Sequence, residues 1–256
     1  MIRRAAQMKK LLSLTAFGFL LLVSVILCGW TSPARGEPFI DLYSAAAILQ
    51  YSKVKDKSSA APLRLTIEDG HFDTSFSIGG RIGWWFGGAP EDDTAAPVMG
   101  VALDAFHFRP NFDRQVREFT EDGTSGRRVF EKIDFDVKVI GLSLMARGPI
   151  AVTPDFPHGQ TQLYFGIGPG AFITTVKDRG NFAPSGQKES VISPGLDLKG
   201  GLKLFITKSL AIFGEYRFTM HSPEVKFRDG GNRERLSTTL NAHHLGGGIS
   251  LHFFVP

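Results

Sequence analysis

The stretch AIFGEYRFTM, residues 211–220, sets Glu215 and Arg217 two positions apart inside an apolar, aromatic run. In an extended strand alternate side chains point to opposite faces. Ala211, Phe213, Glu215, Arg217 and Thr219 then share one face, and Ile212, Gly214, Tyr216, Phe218 and Met220 share the other. One face is apolar and the other holds an ion pair. A soluble core would strand both charges without water. A closed sheet with lipid outside and a polar lumen inside accommodates them.

The N-terminal 36 residues read differently. Arg3, Arg4, Lys9 and Lys10 precede an apolar run from Leu11 to Trp30, followed by Pro33-Ala34-Arg35-Gly36. The pattern predicts a signal peptide over 1–36, with Ala34 and Gly36 as the small residues before a cut at Glu37. An uncleaved anchor is the competing reading, because the apolar run reaches the ~20 residues of a spanning helix. Bulky Leu27 before Cys28 argues against a lipoprotein cut, and Arg3-Arg4 lacks a twin-arginine context, so the Sec route is expected. The leader carries five basic and no acidic residues, and its removal takes the formal charge from +4 to −1. Nucleic acid is therefore not an expected partner. The only cysteine, Cys28, leaves with the leader, which removes any disulfide, thiol nucleophile or thiolate ligand from the mature chain. Residues 37–256 suffice for one β domain.

Period-two alternation recurs throughout that domain, bounded by turn residues. It predicts eight strands near 38–47, 73–86, 97–110, 131–147, 161–177, 192–206, 210–222 and 239–254, hence an all-β, eight-stranded antiparallel up-and-down transmembrane barrel. The connectors 48–72, 111–130, 178–191 and 223–238 are polar, charged and Gly-rich, as expected of outer loops. The connectors 87–96, 148–160 and Thr207-Lys208-Ser209 are expected to be periplasmic turns.

Face assignment fills the lumen with charge. Asp41, Arg81, Asp104, Asp197, Lys199, Lys203, Glu215 and Arg217 all fall opposite apolar neighbours, a mixed set able to pair. Near-balanced signs are what a narrow interior requires, since an unpartnered buried charge costs several kcal/mol. At ~8 strands the interior is about wide enough for side chains to fill it, which argues against an open pore. The strand beginning IDFDVKVIGLSLM places Asp134, Asp136 and Lys138 on one face and then changes phase near Gly141, which predicts a bulge there. Aromatics near strand ends, namely Trp84, Trp85, Phe86, Phe205, Phe253 and Phe254 at one end and Phe106, Phe108 and Tyr216 nearer the other, read as interfacial girdles. A soluble lipocalin-like barrel would have the opposite polarity, with apolar residues inward around a ligand.

FGEYRFTMHSPEVKF followed by TTLNAHHLGGGISLHF resembles the last hairpin of the opacity-protein and OmpA-like eight-stranded outer-membrane barrels. The resemblance implies a Gram-negative outer-membrane location among membrane lipids and insertion by the barrel assembly machinery; the charged, Gly-rich composition of the four outer loops suits contact with lipopolysaccharide or an extracellular ligand.

Chemistry is sparse. His243 and His244 are strand neighbours on opposite faces, so no metal site is expected. GIGPGA, residues 166–171, matches a dinucleotide fingerprint only formally, in mid-strand with no following helix. No cofactor is expected. The expectation is a structural or surface-interaction protein without catalytic residues. The alternatives are a lipid A deacylase using His243 with Ser237 or Ser222 on the outer wall, and a small channel for apolar molecules.

Overall fold

A computed structural model describes residues 36–50, 52–58, 64–70, 72–86, 97–121, 124–153, 155–178, 188–229 and 232–253. The predicted signal peptide and Phe254 lie outside these residues, apart from Gly36. In chain order the strands are β1 (Glu37–Leu49), β2 (Ser52–Ser58), β3 (Arg64–Gly70), β4 (Ser75–Trp85), β5 (Val98–Phe108), β6 (Gln115–Glu121) and β7 (Thr124–Phe130). They continue as β8 (Ile133–Thr153), β9 (Phe156–Asp178), β10 (Lys188–Phe205), β11 (Leu210–His221), β12 (Glu224–Asp229), β13 (Asn232–Thr238) and β14 (Leu240–His252). Eight of them close a ring in the order β1-β14-β11-β10-β9-β8-β5-β4, every pair antiparallel. Closure through β1 and β14 leaves no unpaired edge, the condition for a sheet to cross a bilayer. These eight strands coincide with the eight that alternation predicts.

Three polar connectors expected to be loops are hairpins. β2/β3, β6/β7 and β12/β13 stand side by side as a six-stranded sheet in the order β12-β13-β2-β3-β6-β7, continuing the barrel wall past its rim. Their charged composition marks exposure to water, and backbone pairing supplies the order. The fourth outer connector falls largely within 179–187, outside the described residues. At the opposite end the connector 87–96 is also outside them. The Pro-bearing connector 148–160 is mostly strand, since β8 and β9 run on to Thr153 and Phe156. Its register slips between Pro149 and Ala151 and between Ala151 and Thr153, where proline denies the ladder a donor. Between β10 and β11, the Thr207 hydroxyl accepts from the Leu210 and Ser209 amides and fixes the short turn.

The expected bulge at Gly141 is absent. β8 pairs with β5 without a slip from Val98↔Arg147 to Phe108↔Val137. Ile133, Phe135, Val137, Val139, Gly141, Ser143, Met145 and Arg147 all face inward. What changes near Gly141 is polarity. Below it the wall is apolar outside and polar inside. Above it Asp134, Asp136 and Lys138 turn outward while phenylalanine and valine fill the interior. The strand passes from lipid into water and its two faces exchange character.

The lipid-facing surface is a continuous apolar belt. On β4 it runs from Phe76 through Ile78 and Ile82 to Trp84, all exposed. Eight residue-to-residue steps at ~3.3 Å each and a tilt of ~40° span about 20 Å along the barrel axis, close to the ~25 Å apolar band of such barrels.

Candidate functional site: a two-layer plug in the lumen

The lower layer is ionic. Asp41 on β1, Arg81 on β4 and Asp104 on β5 occupy one register level of three adjacent strands. Arg81 donates through Nη1 to Asp41 at 3.0 Å, through Nε to Asp104 at 2.9 Å and through Nη2 to Glu215 at 2.6 Å. Asp104 also accepts from Lys199 at 2.6 Å and from Arg217 at 2.8 Å. Lys199 pairs with Asp197 at 2.9 Å, and Arg217 with Glu215 at 3.0 Å. Lys203 reaches Asp41 at 3.3 Å and donates to the Ser250 hydroxyl at 2.7 Å. All eight charged residues assigned to the lumen from the sequence are brought together here, and all are buried.

Two further charges complete the set. Arg147 donates through Nη1 to Glu37 at 2.9 Å, and a second contact joins its Nη2 to the same carboxylate. Among the described residues the buried charges are five cations and five anions, formally neutral. Such balance offsets the desolvation of each ion. The sequence reading missed Arg147 because the supposed phase change at Gly141 hid its face, and Glu37 because it abuts the predicted cleavage point. Tyrosine hydroxyls extend the network. Tyr43 accepts from Arg217 at 3.0 Å, and Tyr164 donates to Glu215 at 2.9 Å. Rings cover the cations: Arg217 lies 4.5 Å from the Phe106 centroid, and Arg147 4.7 Å from that of Trp85.

At the lower rim Ser250 Oγ lies 2.9 Å from His252 Nε2, and His252 Nδ1 faces Glu37. The connectivity is that of a serine–histidine–carboxylate relay. Ser250 is fully buried, however, and its hydroxyl also bonds Asp41 while Lys203 donates to it. These groups tie the first and last strands together.

The upper layer is aromatic. Phe106, Phe108, Phe112, Phe130, Ile133, Phe135, Val137, Phe172 and Val176 are buried inside the outer half of the barrel. His244 meets Phe108 edge-on at 4.9 Å and bonds Thr219 at 3.2 Å. His221 stacks on Phe172 at 4.3 Å and bonds Thr174 at 3.2 Å. Where the layers meet, a void of about 10 Å³ beside Tyr43, Glu215, Arg217 and His244 has room for no more than one water.

The girdle assignment needs correction. Trp84, Tyr216 and Phe253 do face outward. Phe86 is half-buried. Trp85 and Phe205 point into the lumen, only 1% and 3% exposed, and Phe106 and Phe108 belong to the upper layer. Strand alternation is the reason: with Trp84 out, Trp85 must be in. Tyr216 sits in mid-wall, paired with Gly200 and Leu245. Its hydroxyl lies 2.6 Å from His243 Nδ1, while the Ser222 hydroxyl bonds Thr239 at 3.1 Å. His244 points inward, away from His243. No group of three or more potential metal ligands occurs among the described residues.

No protein-family model matches the chain. No curated protein matches it either. Solved structures do. The outer membrane protein OprG from Pseudomonas aeruginosa is 13% identical, with 87% of this chain and 98% of that one covered at a TM-score of 0.51. Neisserial surface protein A is 16% identical over 84% and 97% of the two chains, with a TM-score of 0.42. Ail, the attachment invasion locus protein of Yersinia pestis, is 14% identical over 86% and 99%, with a TM-score of 0.37. The likeness to OprG is one of fold. This chain has the architecture of an outer-membrane β-barrel, here with eight strands in the closed ring.

Proposed function

We propose that the protein is a closed barrel of the Gram-negative outer membrane, exported with a cleaved leader over 1–36 and inserted by the barrel assembly machinery. Its body is a scaffold, and its outer sheet is the surface that meets lipopolysaccharide and an extracellular ligand. The observation that carries this reading is the double plug. Ten charges neutralise one another across the lumen, and an aromatic layer caps them toward the outside. Both layers are packed with buried side chains among the described residues, so work falls to the six-stranded sheet raised beyond the belt. That sheet exposes charge at Glu118, Arg127, Glu224, Lys226 and Arg235, beside the exposed Val116 and Val129 of β6 and β7.

Membrane fractionation with heat-modifiable gel mobility, followed by conductance of the purified protein in planar bilayers, tests this function. A heat-modifiable outer-membrane band with no stepwise conductance is expected. Recovery in the soluble periplasmic fraction, or steady channel steps, would overturn the reading.

A further inference from the structure

The rim of the belt is not uniform around the barrel. On β11, β14 and β1 its outward positions are Phe218, His243, Ile48, Asn241 and Gln50, with no lysine or arginine among them. On β8, β9 and β10 the outward face changes abruptly. Lys138 pairs with Ile173 and Ile173 with Ile192; one step further from the membrane Thr175 and Ser190 are partners, and one step beyond them Lys177 faces Lys188.

Lys177 and Lys188 are directly opposed like charges, an arrangement that costs stability in a sheet. Among the described residues Asp134, the register partner of Lys177 on β8, is the one carboxylate beside the pair on this face, and it leaves the Lys188 charge without a counterpart across the sheet. Asp136 is held by His107 at 3.2 Å and Arg109 at 3.3 Å, and Lys132 approaches Asp134 at 3.8 Å. Among the described residues no ion pair includes Lys138, Lys177 or Lys188, and all three are exposed. Between them the Thr175 and Ser190 hydroxyls bond each other at 2.9 Å and are open to a further acceptor. From the level of Lys138 to that of Lys177 is four residues, about 13 Å at the ~3.3 Å rise of a strand.

We propose that this face binds the phosphorylated headgroup of lipopolysaccharide, a deepening that rests on the outer-membrane reading above. Lys177 and Lys188 clasp one phosphate, the two hydroxyls face the sugar between, and Lys138 meets a second anionic group nearer the acyl chains. Position identifies the lipid. The three lysines share their face with Ile140 and Ile192 of the belt, so an anion held there lies at the hydrocarbon boundary. Lysine suits that boundary, since its stem lies along apolar surface while its ammonium reaches the headgroups.

The test uses the full mature barrel in nanodiscs containing either bisphosphorylated or enzymatically dephosphorylated lipid A, with melting read by heat-modifiable mobility. Wild type is compared with K138Q/K177Q/K188Q and with K208Q, which removes an exposed cation in the turn at the opposite end of the barrel. Wild type and the control should melt higher in the phosphorylated lipid, and the site variant should lose that difference. Lipid A retained through purification should fall roughly fivefold per lysine, roughly a hundredfold for all three. If the triple variant fails to fold, K177Q alone carries the test through its smaller loss. Equal melting of wild type in both lipids overturns the proposal, as does an equal loss in the control. Saturation by soluble polyphosphate as effective as by lipid A would also overturn it, by assigning the face to a soluble anion. A barrel that never enters a membrane would instead refute the outer-membrane reading itself.

Discussion

Arg81 and Asp104 are register partners on neighbouring strands and are joined side chain to side chain, Nε to Oδ1 at 2.9 Å, inside the closed ring. Each is a hub. Arg81 binds three carboxylates, and Asp104 binds three cations. Removing Arg81 leaves the buried Asp41 and Glu215 carboxylates short of a partner. Arg81→Ala should cost about 3–5 kcal/mol, the usual penalty for breaking a buried pair from one side. Thermal midpoints in detergent check it, and Arg81→Ala with Asp104→Ala should cost less than the two singles added.

Glu215 and Arg217 lie on the same strand face but differ in reach. Arg217 contacts Asp104, Glu215, Asp197 and Tyr43, with Phe106 beneath its guanidinium. Both Glu215→Ala and Arg217→Ala should lower the midpoint, Arg217→Ala more. Unchanged melting in both would show that the network does not hold the barrel shut.

The layered plug makes a prediction about conduction. Phe108→Ala removes a fully buried ring and should cost about 3–5 kcal/mol, yet the ionic layer beneath remains. Arg81→Ala opens the ionic layer, yet the aromatic cap remains. Only the combination should give steady single-channel steps in planar bilayers.

Two glycines separate space from flexibility. A Cβ at Gly201 would stand 2.2 Å from the Gly214 carbonyl oxygen and 2.7 Å from the Tyr164 hydroxyl, displacing the tyrosine that bonds Glu215. At Gly214, on the lipid side, the nearest atom would be 4.0 Å away. Gly201→Ala should therefore lower the midpoint by several degrees, as ~1–3 kcal/mol of overpacking implies for a domain of this size. Gly214→Ala should be neutral or slightly stabilising. Equal effects would mean that the close approach is not what requires glycine.

Within the belt the sequence is nearly transparent, because lipid outside and ions inside force strict alternation. Ile212, Tyr216 and Leu204 against Glu215, Arg217 and Lys203 can be sorted by parity alone. Beyond the rim that logic reverses, and parity reading failed where the reversal falls inside one strand, at Gly141 on β8. The aromatic interior followed the same error: Phe106 and Phe108 look like girdle residues when lipid is assumed to extend to the strand end. The outer hairpins stayed hidden for another reason. Segments such as SKVKDKS and NRERLST carry few strand-favouring side chains, and they are ordered by continuing strands already paired below. Glu37 and Arg147 meet across 110 positions, a contact that only closure of the ring reveals.

The two faces of the wall look in opposite directions, apolar side chains toward lipid and ions toward the lumen, and lipid contact at single labelled positions reports this. Residues 37–256 contain no cysteine, so single nitroxide labels can be placed at Ile82→Cys, Ile140→Cys and Ile212→Cys in reconstituted bilayers, with Lys208→Cys as the aqueous control. Relaxation at the three belt positions should be dominated by oxygen dissolved in lipid, and at 208 by a water-soluble nickel chelate. Nickel-dominated relaxation at 82, 140 and 212 would mean that these side chains face water and that the barrel has the opposite polarity.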